Sequence, residues 1–582
     1  MDAFLGVERS LTGRRWIGPT PDIERACEKL EQQTGLPRAV CSILARRSVP
    51  VEEVSGFLEP KLKELLPDPR LLKDMEIAAA RFVSAVKGRE RIAVFADYDV
   101  DGGSSAALLL VWLREVGIEA TLYVPDRIDE GYGPNVPAMR ALGAQHDLII
   151  CVDCGTLSHE PIAAAGCDVV VLDHHLGGET LPDCVAVVNP NRQDENGDLG
   201  YLCAAGVVFL MLVEATRLMR ADGCGVPNLM GLLDLVALAT VADVAPLIGV
   251  NRALVRQGLR VMAQRRRPGL VALSDVARMD CAPTAYHLGF LLGPRVNAGG
   301  RIGQADMGAR LLATASAVEA EVLARQLDTL NTERRDIENA VRTAAMEQAE
   351  ARGLDAPLVW AAGDGWHPGV VGIVASRLKE ATNRPAVVIG FDGDEGKGSG
   401  RSIPGVDLGA AIQRLAAEGL LLKGGGHRMA AGLTVMRDKL EPAMERLGAL
   451  LAKQGAGAGA PADLRLDGLI MPGAATVDLI EALDKAGPYG AGAPGPRFAV
   501  PDLQVRFAKR VGESHLKLSL SDGIAAGIDA IAFRAFESEI GPRMADHGGA
   551  RFHVAGRLEV NTWGGRQSVQ LRLEDVAEAK ST

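Results

Sequence analysis

Between Arg91 and about Val250, short apolar runs alternate with stretches of helical periodicity, the pattern of a parallel sheet covered by helices. The runs Arg91 to Ala96, Ala120 to Val124, Asp147 to Val152, Asp168 to Leu172 and Val185 to Val188 have strand length and β-branched content. Most end at Asp, Gly or Pro, which break strands and open turns. Residues 305–352 carry a long polar and apolar helical pattern without proline, which predicts a helix connecting two lobes. A second α/β unit is expected from the runs Leu358 to Ala361 and Ala386 to Ile389, with a helix Val370 to Lys379 between them. The stretch Gln454 to Ala462, QGAGAGAPA, has too little apolar bulk to pack and reads as a linker. After Arg497 short alternating strands take over. They include His515 to Leu520 and a hairpin of Phe552 to Val560 and Ser568 to Leu573, turned at Trp563-Gly564-Gly565, and they predict a small β-barrel or sandwich.

The expected organisation is an α/β fold of two lobes joined by a long helix and followed by a β-domain. The first lobe spans 1–304 with an N-terminal extension 1–75, the connecting helix 305–352, the second lobe 353–453, the linker 454–462 and the β-domain 463–582. A chain of 582 residues, 47% hydrophobic and 24% charged, has the make-up of a globular protein of several domains, which excludes disorder over most of its length. Apolar stretches such as Ala106 to Leu113 and Val207 to Val213 are far shorter than the roughly 20 residues a membrane span needs. Asp2 and Glu8 interrupt any secretory leader, so a cytoplasmic location is expected. Nine irregularly spaced cysteines fit reduced thiols, and Cys151-Val-Asp-Cys154 lacks the second ligand pair of a zinc site. The net charge of -11 argues against a nucleic-acid partner.

Candidate chemistry changes that last reading. Asp97-Tyr-Asp99-Val-Asp101-Gly102-Gly103 lies where the first strand ends and a helix begins, so three carboxylates share one strand terminus. Asp153 follows the third run and Asp173-His174-His175 the fourth, both at the carboxyl edge where open α/β sheets bind ligands. Asp243 adds an acid in an apolar context. Any one of these is explained by a turn or a helix cap. Gathered at one edge, carboxylates and imidazole without thiolate suit two Mn²⁺ or Mg²⁺ ions. Two divalent cations would offset about four of the negative charges. Strand binding is therefore expected to be weaker without metal and strongly salt-sensitive. In the second lobe, Gly398-Ser399-Gly-Arg401-Ser402 and Gly424-Gly-Gly-His427 combine small residues with a cation or imidazole, as turns whose backbone approaches a phosphate. No GxxxxGK[ST] segment occurs, so a P-loop ATPase is not supported.

These segments resemble motifs I to IV of the DHH phosphoesterases: Asp97 to Gly102, Val152 to Gly155, Asp173-His174-His175 and Ala242-Asp243. Further stretches are similar to the RecJ-type single-strand-specific 5′ exonucleases of that family. They are Pro125 to Gly133, Val188 to Asn191, Pro294 to Arg301, His367 to Arg377, Gly398 to Ser402 and Gly424 to Gly432, within a match running from about residue 5 to the end. The resemblance implies a DHH lobe, a DHHA1 lobe and an oligonucleotide-binding barrel. It implies metal ligation by Asp97, Asp99, Asp101, Asp153, His174 and Asp243, with Asp153 bridging two ions. His175, Asp173 and Asp153 take catalytic roles, His175 beside the scissile phosphate. Arg127, Ser399 and Arg401 would hold the 5′-terminal phosphate, Arg295, Arg301 and His427 would touch phosphates near the cut, and Asn297 would also bind substrate. On the barrel, Arg506, Phe507, Lys509, Arg510, His515 and Lys517 would offer a strand-binding face, with a solvated charged surface as the equal alternative. Two positions depart from the pattern: Gly103 stands where an apolar residue is usual, and Ala493 where Asn is.

The activity so implied is metal-dependent 5′ to 3′ hydrolysis of single-stranded DNA to 5′-mononucleotides in repair and recombination. The chain is expected to act as a monomer, beside a single-strand-binding protein and a helicase. The alternatives are another DHH phosphoesterase, acting on short oligoribonucleotides, cyclic dinucleotides or pyrophosphate, and a non-catalytic replication scaffold of the same fold. The length and the extra β-domain speak against the first, and the intact acidic set against the second.

Overall fold

In the computed structural model, the five apolar runs form strands β1 (Ile92–Ala96), β2 (Thr121–Tyr123), β3 (Leu148–Val152), β4 (Asp168–Leu172) and β5 (Ala186–Val188). They pair in parallel in the order β2-β1-β3-β4-β5. Ile92, Val94 and Ala96 pack into one hydrophobic core while Ala93 and Phe95 pack into another, so both faces are covered and the strand reads as an unbroken apolar run. Helices α1 (Val100–Glu115), α2 (Ala204–Ala221) and α3 (Leu233–Ala242) build the larger core. Next comes α4 (Gly293–Ile302). The connecting helix α5 covers Ala317–Arg352, which corrects the expected continuous helix over 305–352. A separate helix, Met307–Ala313, ends at Thr314, and the Ser316 hydroxyl caps the new start by accepting from the Glu319 N–H at 3.3 Å.

The second lobe holds β6 (Val359–Asp364), α6 (Pro368–Thr382), β7 (Ala386–Asp392), β8 (Glu395–Arg401), β9 (Lys423–His427) and β10 (Ala430–Met436). The sheet order is β9-β10-β8-β7-β6, parallel only between β6 and β7. Here the structure corrects the sequence reading, because the two glycine-rich segments are strands rather than turns. The β8 glycines are explained by packing: a Cβ at Gly396 would stand 2.7 Å from Phe391, at Gly398 2.7 Å from Ile389 and at Gly400 2.7 Å from Leu408. Alternation then sends Ser399 and Arg401 to the opposite face.

These lobes belong to one unit, residues 62–458 and 490–493. The other unit comprises 1–61, 459–489 and 494–582. Its centre is a closed five-stranded barrel of β11 (Phe498–Val511), β12 (His515–Ser521), β13 (Gly527–Ala532), β14 (Arg551–Trp563) and β15 (Arg566–Glu578), closed by pairing of β11 with β14. Residues 3–61, expected with the first lobe, pack on this barrel instead. Trp16 is fully buried and donates from Nε1 to Asp575 Oδ2 at 2.9 Å, and Trp16 and Ile17 pair in parallel with Leu464 and Arg465.

The structure describes residues 3–127, 129–457, 463–523, 527–563 and 566–579. The expected hairpin turn at Gly564 and Gly565, and Ala458 to Ala462 of the linker, lie outside them. Among the described residues no helix is long and apolar enough to cross a membrane.

Candidate metal centre

In the strand order β2-β1-β3-β4-β5 the chain leaves β1 toward one edge and β3 toward the other, so a crevice opens at the carboxyl ends of these two neighbours. Asp97 to Asp101 follow β1 and Asp153 follows β3. Asp99 caps α1, its Oδ1 accepting from the N–H groups of Asp101 at 2.8 Å and Gly102 at 3.1 Å. Only glycine fits at 102, since a Cβ would stand 2.4 Å from the Asp97 carbonyl oxygen. Asp101 is buried and accepts from Ala204 N at 2.7 Å and Ala205 N at 2.8 Å, where the positive end of α2 favours a carboxylate. Asp153 adopts φ 61°, a left-handed conformation that costs a non-glycine residue energy and occurs here at the centre of the cluster. Gly103, one departure from the family pattern, faces the backbone at Ala309, which a Cβ would meet at 3.4 Å, an ordinary contact.

His174 Nε2 lies 3.3 Å from Asp153 Oδ1, 3.7 Å from Asp101 Oδ2 and 3.8 Å from Asp243 Oδ2. Ligand atoms of Asp97, Asp99 and Asp153 fall within 4.8 Å of one another, as do those of Asp101, His174 and Asp243, and of Asp153, His174 and His175. Asp153 thus belongs to two groups. Burial, then the neighbouring carboxylates, pushes Asp97 and Asp153 well above the usual carboxylate range and Asp243 up to about 8. Burial also raises Asp101. Asp97 Oδ1 and Asp153 Oδ1 are buried acceptors without a hydrogen-bond partner. Crowded acids with orphaned oxygens fit divalent cations, and a set of carboxylates and imidazole matches Mn²⁺ or Mg²⁺. Cys151 and Cys154 are buried free thiols pushed up by desolvation, and neither belongs to a candidate ligand group among the described residues.

Asp173 plays a different part. Burial alone would raise it, yet hydrogen bonds from His175 and Thr156 hold it well below the usual range. Its Oδ1 is 2.8 Å from His175 Nδ1, and its Oδ2 accepts from Thr156 N at 3.1 Å. Burial would lower the His175 imidazole, but the bond to Asp173 and the surrounding acids push it up to about 9. The Tyr132 hydroxyl donates to the Asp153 carbonyl at 2.9 Å and lies 3.1 Å from the His175 ring. Asn189 donates to Thr156 Oγ1 at 2.8 Å and to the His175 carbonyl at 2.7 Å, and Asn191 to the His174 carbonyl at 2.6 Å.

Beside the cluster lies a cavity of about 530 Å³, lined by Asp97, Asp99 and His175 from the first lobe and by Ser399 and Arg401 from the second, with Arg127, Asn297 and Arg301 between. Burial, then Arg127, depresses the Arg301 and Arg401 guanidinium groups, Arg301 down to about 10, so the cations crowd a space suited to an anion. Arg401 donates to Ser399 Oγ at 2.8 Å. Gly372 lies opposite, where a Cβ would stand 3.1 Å from each of those side chains. Asn297 accepts from the Val100 N–H at 3.0 Å, fixing α4 against the start of α1. Two expected phosphate contacts are not among the lining residues. Arg295 is held by Asp328 at 2.9 Å, and His427 is exposed at the end of β9.

Tyr98, Tyr132 and Thr156 receive no role from the sequence. Tyr98 stacks under the Arg127 guanidinium at 5.3 Å. Tyr132 lies in the same segment as Arg127, and its Gly and Asp neighbours carry no periodic signal that would single it out. In the other unit, Lys509 pairs across from Lys517 and Val511 across from His515, with Phe507 half exposed, so the expected basic and aromatic residues do share two adjacent strands. Phe533 and Arg572, which the sequence reading missed, join them through ring contacts with His515 at 5.3 Å and with each other at 5.5 Å.

Residues 91–240 match the DHH family, N-terminal domain, residues 355–453 the DHHA1 domain and residues 466–575 the RecJ OB domain. A sheet with this edge cluster and these matches defines a DHH-family protein. The chain is 38% identical to the single-stranded-DNA-specific exonuclease RecJ of Dickeya dadantii, covering 94% of this chain and 98% of the relative. It is 33% identical to that of Bacillus subtilis, over 97% and 71%. The crystal structure of RecJ in complex with Mn²⁺ from Thermus thermophilus superposes with a TM-score of 0.80 at 29% identity, over 97% of this chain and 80% of that one. The chain belongs to the RecJ family.

Proposed function

We propose that the chain is a metal-dependent exonuclease that hydrolyses single-stranded DNA from the 5′ end and releases 5′-mononucleotides. The observation that carries this reading is one cavity with two chemistries: the acidic cluster on one wall and Ser399, Arg401, Arg127 and Arg301 on the others. A cationic pocket next to a hydrolytic centre suits a terminal phosphate, so cutting is counted from the end. Asp97, Asp99, Asp101, Asp153, His174 and Asp243 would hold two Mn²⁺ or Mg²⁺ ions. When bound, such ions supply a nucleophilic hydroxide at neutral pH and offset the charge on phosphorus. Asp153 belongs to two of the three candidate ligand groups. Asp173 orients the His175 ring and Tyr132 braces it, on the wall of the cavity that also holds the arginines. Asn297 and Arg301 on α4 steady the next phosphate. The barrel supplies a further strand-binding surface through its basic and aromatic residues.

A cytoplasmic location, a monomeric state and work beside a single-strand-binding protein and a helicase go with this family reading. The test is mononucleotide release in Mn²⁺ from linear single-stranded DNA, circular single-stranded DNA, blunt duplex and a dinucleotide. Loss of the linear strand, with the circle and duplex intact, is the expected result. Cleavage of the dinucleotide alone would assign the chain to another DHH phosphoesterase activity, and no cleavage at all would favour the scaffold.

A further inference from the structure

A second cavity, of about 580 Å³, lies in the metal-bearing unit but away from the cluster. It has the size of a small-molecule site. Its walls come from the far ends of elements that build the metal centre. Val111 and Arg114 stand at the end of α1, about 20 Å along the helix axis from Asp99 and Asp101 at its start. Leu232 and Asp234 stand at the start of α3, which ends at Asp243. Thr314 belongs to the break before the connecting helix α5, which leads to the second lobe. Two helices that carry metal-cluster acids at one end therefore meet this cavity at the other.

The groups on these walls point to one kind of ligand. Asp234 accepts from Arg267 Nε and Nη2, each at 2.9 Å, so that buried pair is satisfied and neutral. Arg266 makes no ion pair among the described residues, nor does Arg114, whose Nη2 donates to the Ala313 carbonyl at 2.7 Å. Against Glu115 on the same wall, these two arginines leave an excess of positive charge. Gln257, Val261 and Gln264 follow one another at helical spacing and share one side of the helix Gly249–Met262 and its end. Neither glutamine side chain has a hydrogen-bond partner among the described residues. A carboxamide offers a donor and an acceptor side by side, the complement of a nucleobase edge. Val111, Leu232 and Val261 add apolar area for the faces of a planar ring.

We infer that this cavity binds a nucleoside 5′-monophosphate, with its phosphate on Arg114 and Arg266 and its base against Gln257 and Gln264, and that occupancy slows hydrolysis. Mononucleotides are what the proposed reaction releases, so the site senses product. The link to turnover rests on the exonuclease reading; the binding does not. A ligand shifts a conformational balance only through contacts that differ between the two states. Here that contact is Arg114, which in this structure holds the Ala313 carbonyl beside the break before α5. A phosphate that draws the guanidinium away loosens the start of α5, and with it the seating of Ser399 and Arg401 beside the cluster.

Two measurements test it. Equilibrium dialysis of labelled deoxyadenosine 5′-monophosphate in chelator, on the Arg401→Ala protein whose end pocket is weakened, should find one site per chain. Adding Arg266→Ala or Gln257→Leu should weaken that site on the order of 10-fold each, and inorganic phosphate should displace the nucleotide only at concentrations on the order of 10-fold higher or more. In Mn²⁺, with the single strand and the mononucleotide both varied, the mononucleotide should lower the kcat of the wild type at saturating strand. Arg266→Ala should abolish that fall in kcat while any rise in KM from competition at the end pocket persists. Undiminished affinity in both variants, or equal potency of inorganic phosphate, would overturn the site. A purely competitive pattern in the wild type would overturn its control of turnover. Failure of the wild type to cut single strands would instead overturn the exonuclease reading, and the dialysis would still decide the site.

Discussion

Asp153 has a left-handed backbone, a buried carboxylate oxygen without a hydrogen-bond partner, and membership of two ligand groups. Folding tolerates this because bound cations compensate the repulsion among neighbouring acids. Asp153→Asn should therefore separate two effects. In chelator the variant should melt about 2 °C or more above the wild type, since one buried charge is gone. Mn²⁺ should raise the melting temperature of the wild type by several degrees and of the variant much less, and hydrolysis should fall more than about 100-fold. Differential scanning fluorimetry with and without Mn²⁺, beside a turnover assay, checks both. Arg401→Ala should erase most of the preference for a 5′-phosphate over a 5′-hydroxyl end, read as the ratio of kcat/KM for the two; an equal loss on both ends would speak against its role. The acids were legible in the sequence because each follows an apolar run. Thr156 and Tyr132 were not, because what makes them matter is a hydrogen bond to Asp173 and one to the Asp153 carbonyl, which no spacing encodes.

At the scale of elements, β8 depends on glycine at 396, 398 and 400 to lie flat on Phe391, Ile389 and Leu408. Gly398→Ala places a methyl 2.7 Å from Ile389 and should cost about 1–3 kcal/mol and weaken 5′-phosphate recognition by displacing Ser399 and Arg401. Gly432→Ala, on the paired strand β10 with nothing within 4 Å of the added atom, is the control and should be nearly neutral. Thermal melts of the two variants decide it. The parallel strands β1 to β5 could be read from their β-branched residues, whereas EGKGSGR and KGGGH have neither apolar alternation nor β propensity, so strand pairing there is imposed by β7 and β10. The long helix was foreseen but not its start, because Thr314 to Ser316 hides a break in an otherwise helical composition.

At the scale of the whole molecule, the N-terminal stretch and the barrel are distant in sequence and joined in space. The Trp16 to Asp575 hydrogen bond spans 559 positions, and nothing in residues 1–75 announced such a partner. Trp16 is the largest side chain in the small core with Leu464, Leu466 and Ala555, so Trp16→Ala should destabilise the barrel unit by about 3–5 kcal/mol. Limited proteolysis should then cut the barrel strands early, while the Mn²⁺-induced stabilisation of the metal-bearing unit persists. The net charge of -11 no longer argues against nucleic acid once five acids are seen gathered at a cation site and arginines on the other walls of the adjoining cavity. The most direct measurement of the central claim follows one linear single strand in Mn²⁺, labelled at the 5′ end in one reaction and at the 3′ end in another. The account predicts that the 5′ label appears as a mononucleotide from the first turnovers, while the 3′ label passes through progressively shorter strands. Release of the 3′ label first, or internal fragments from both substrates, would contradict it.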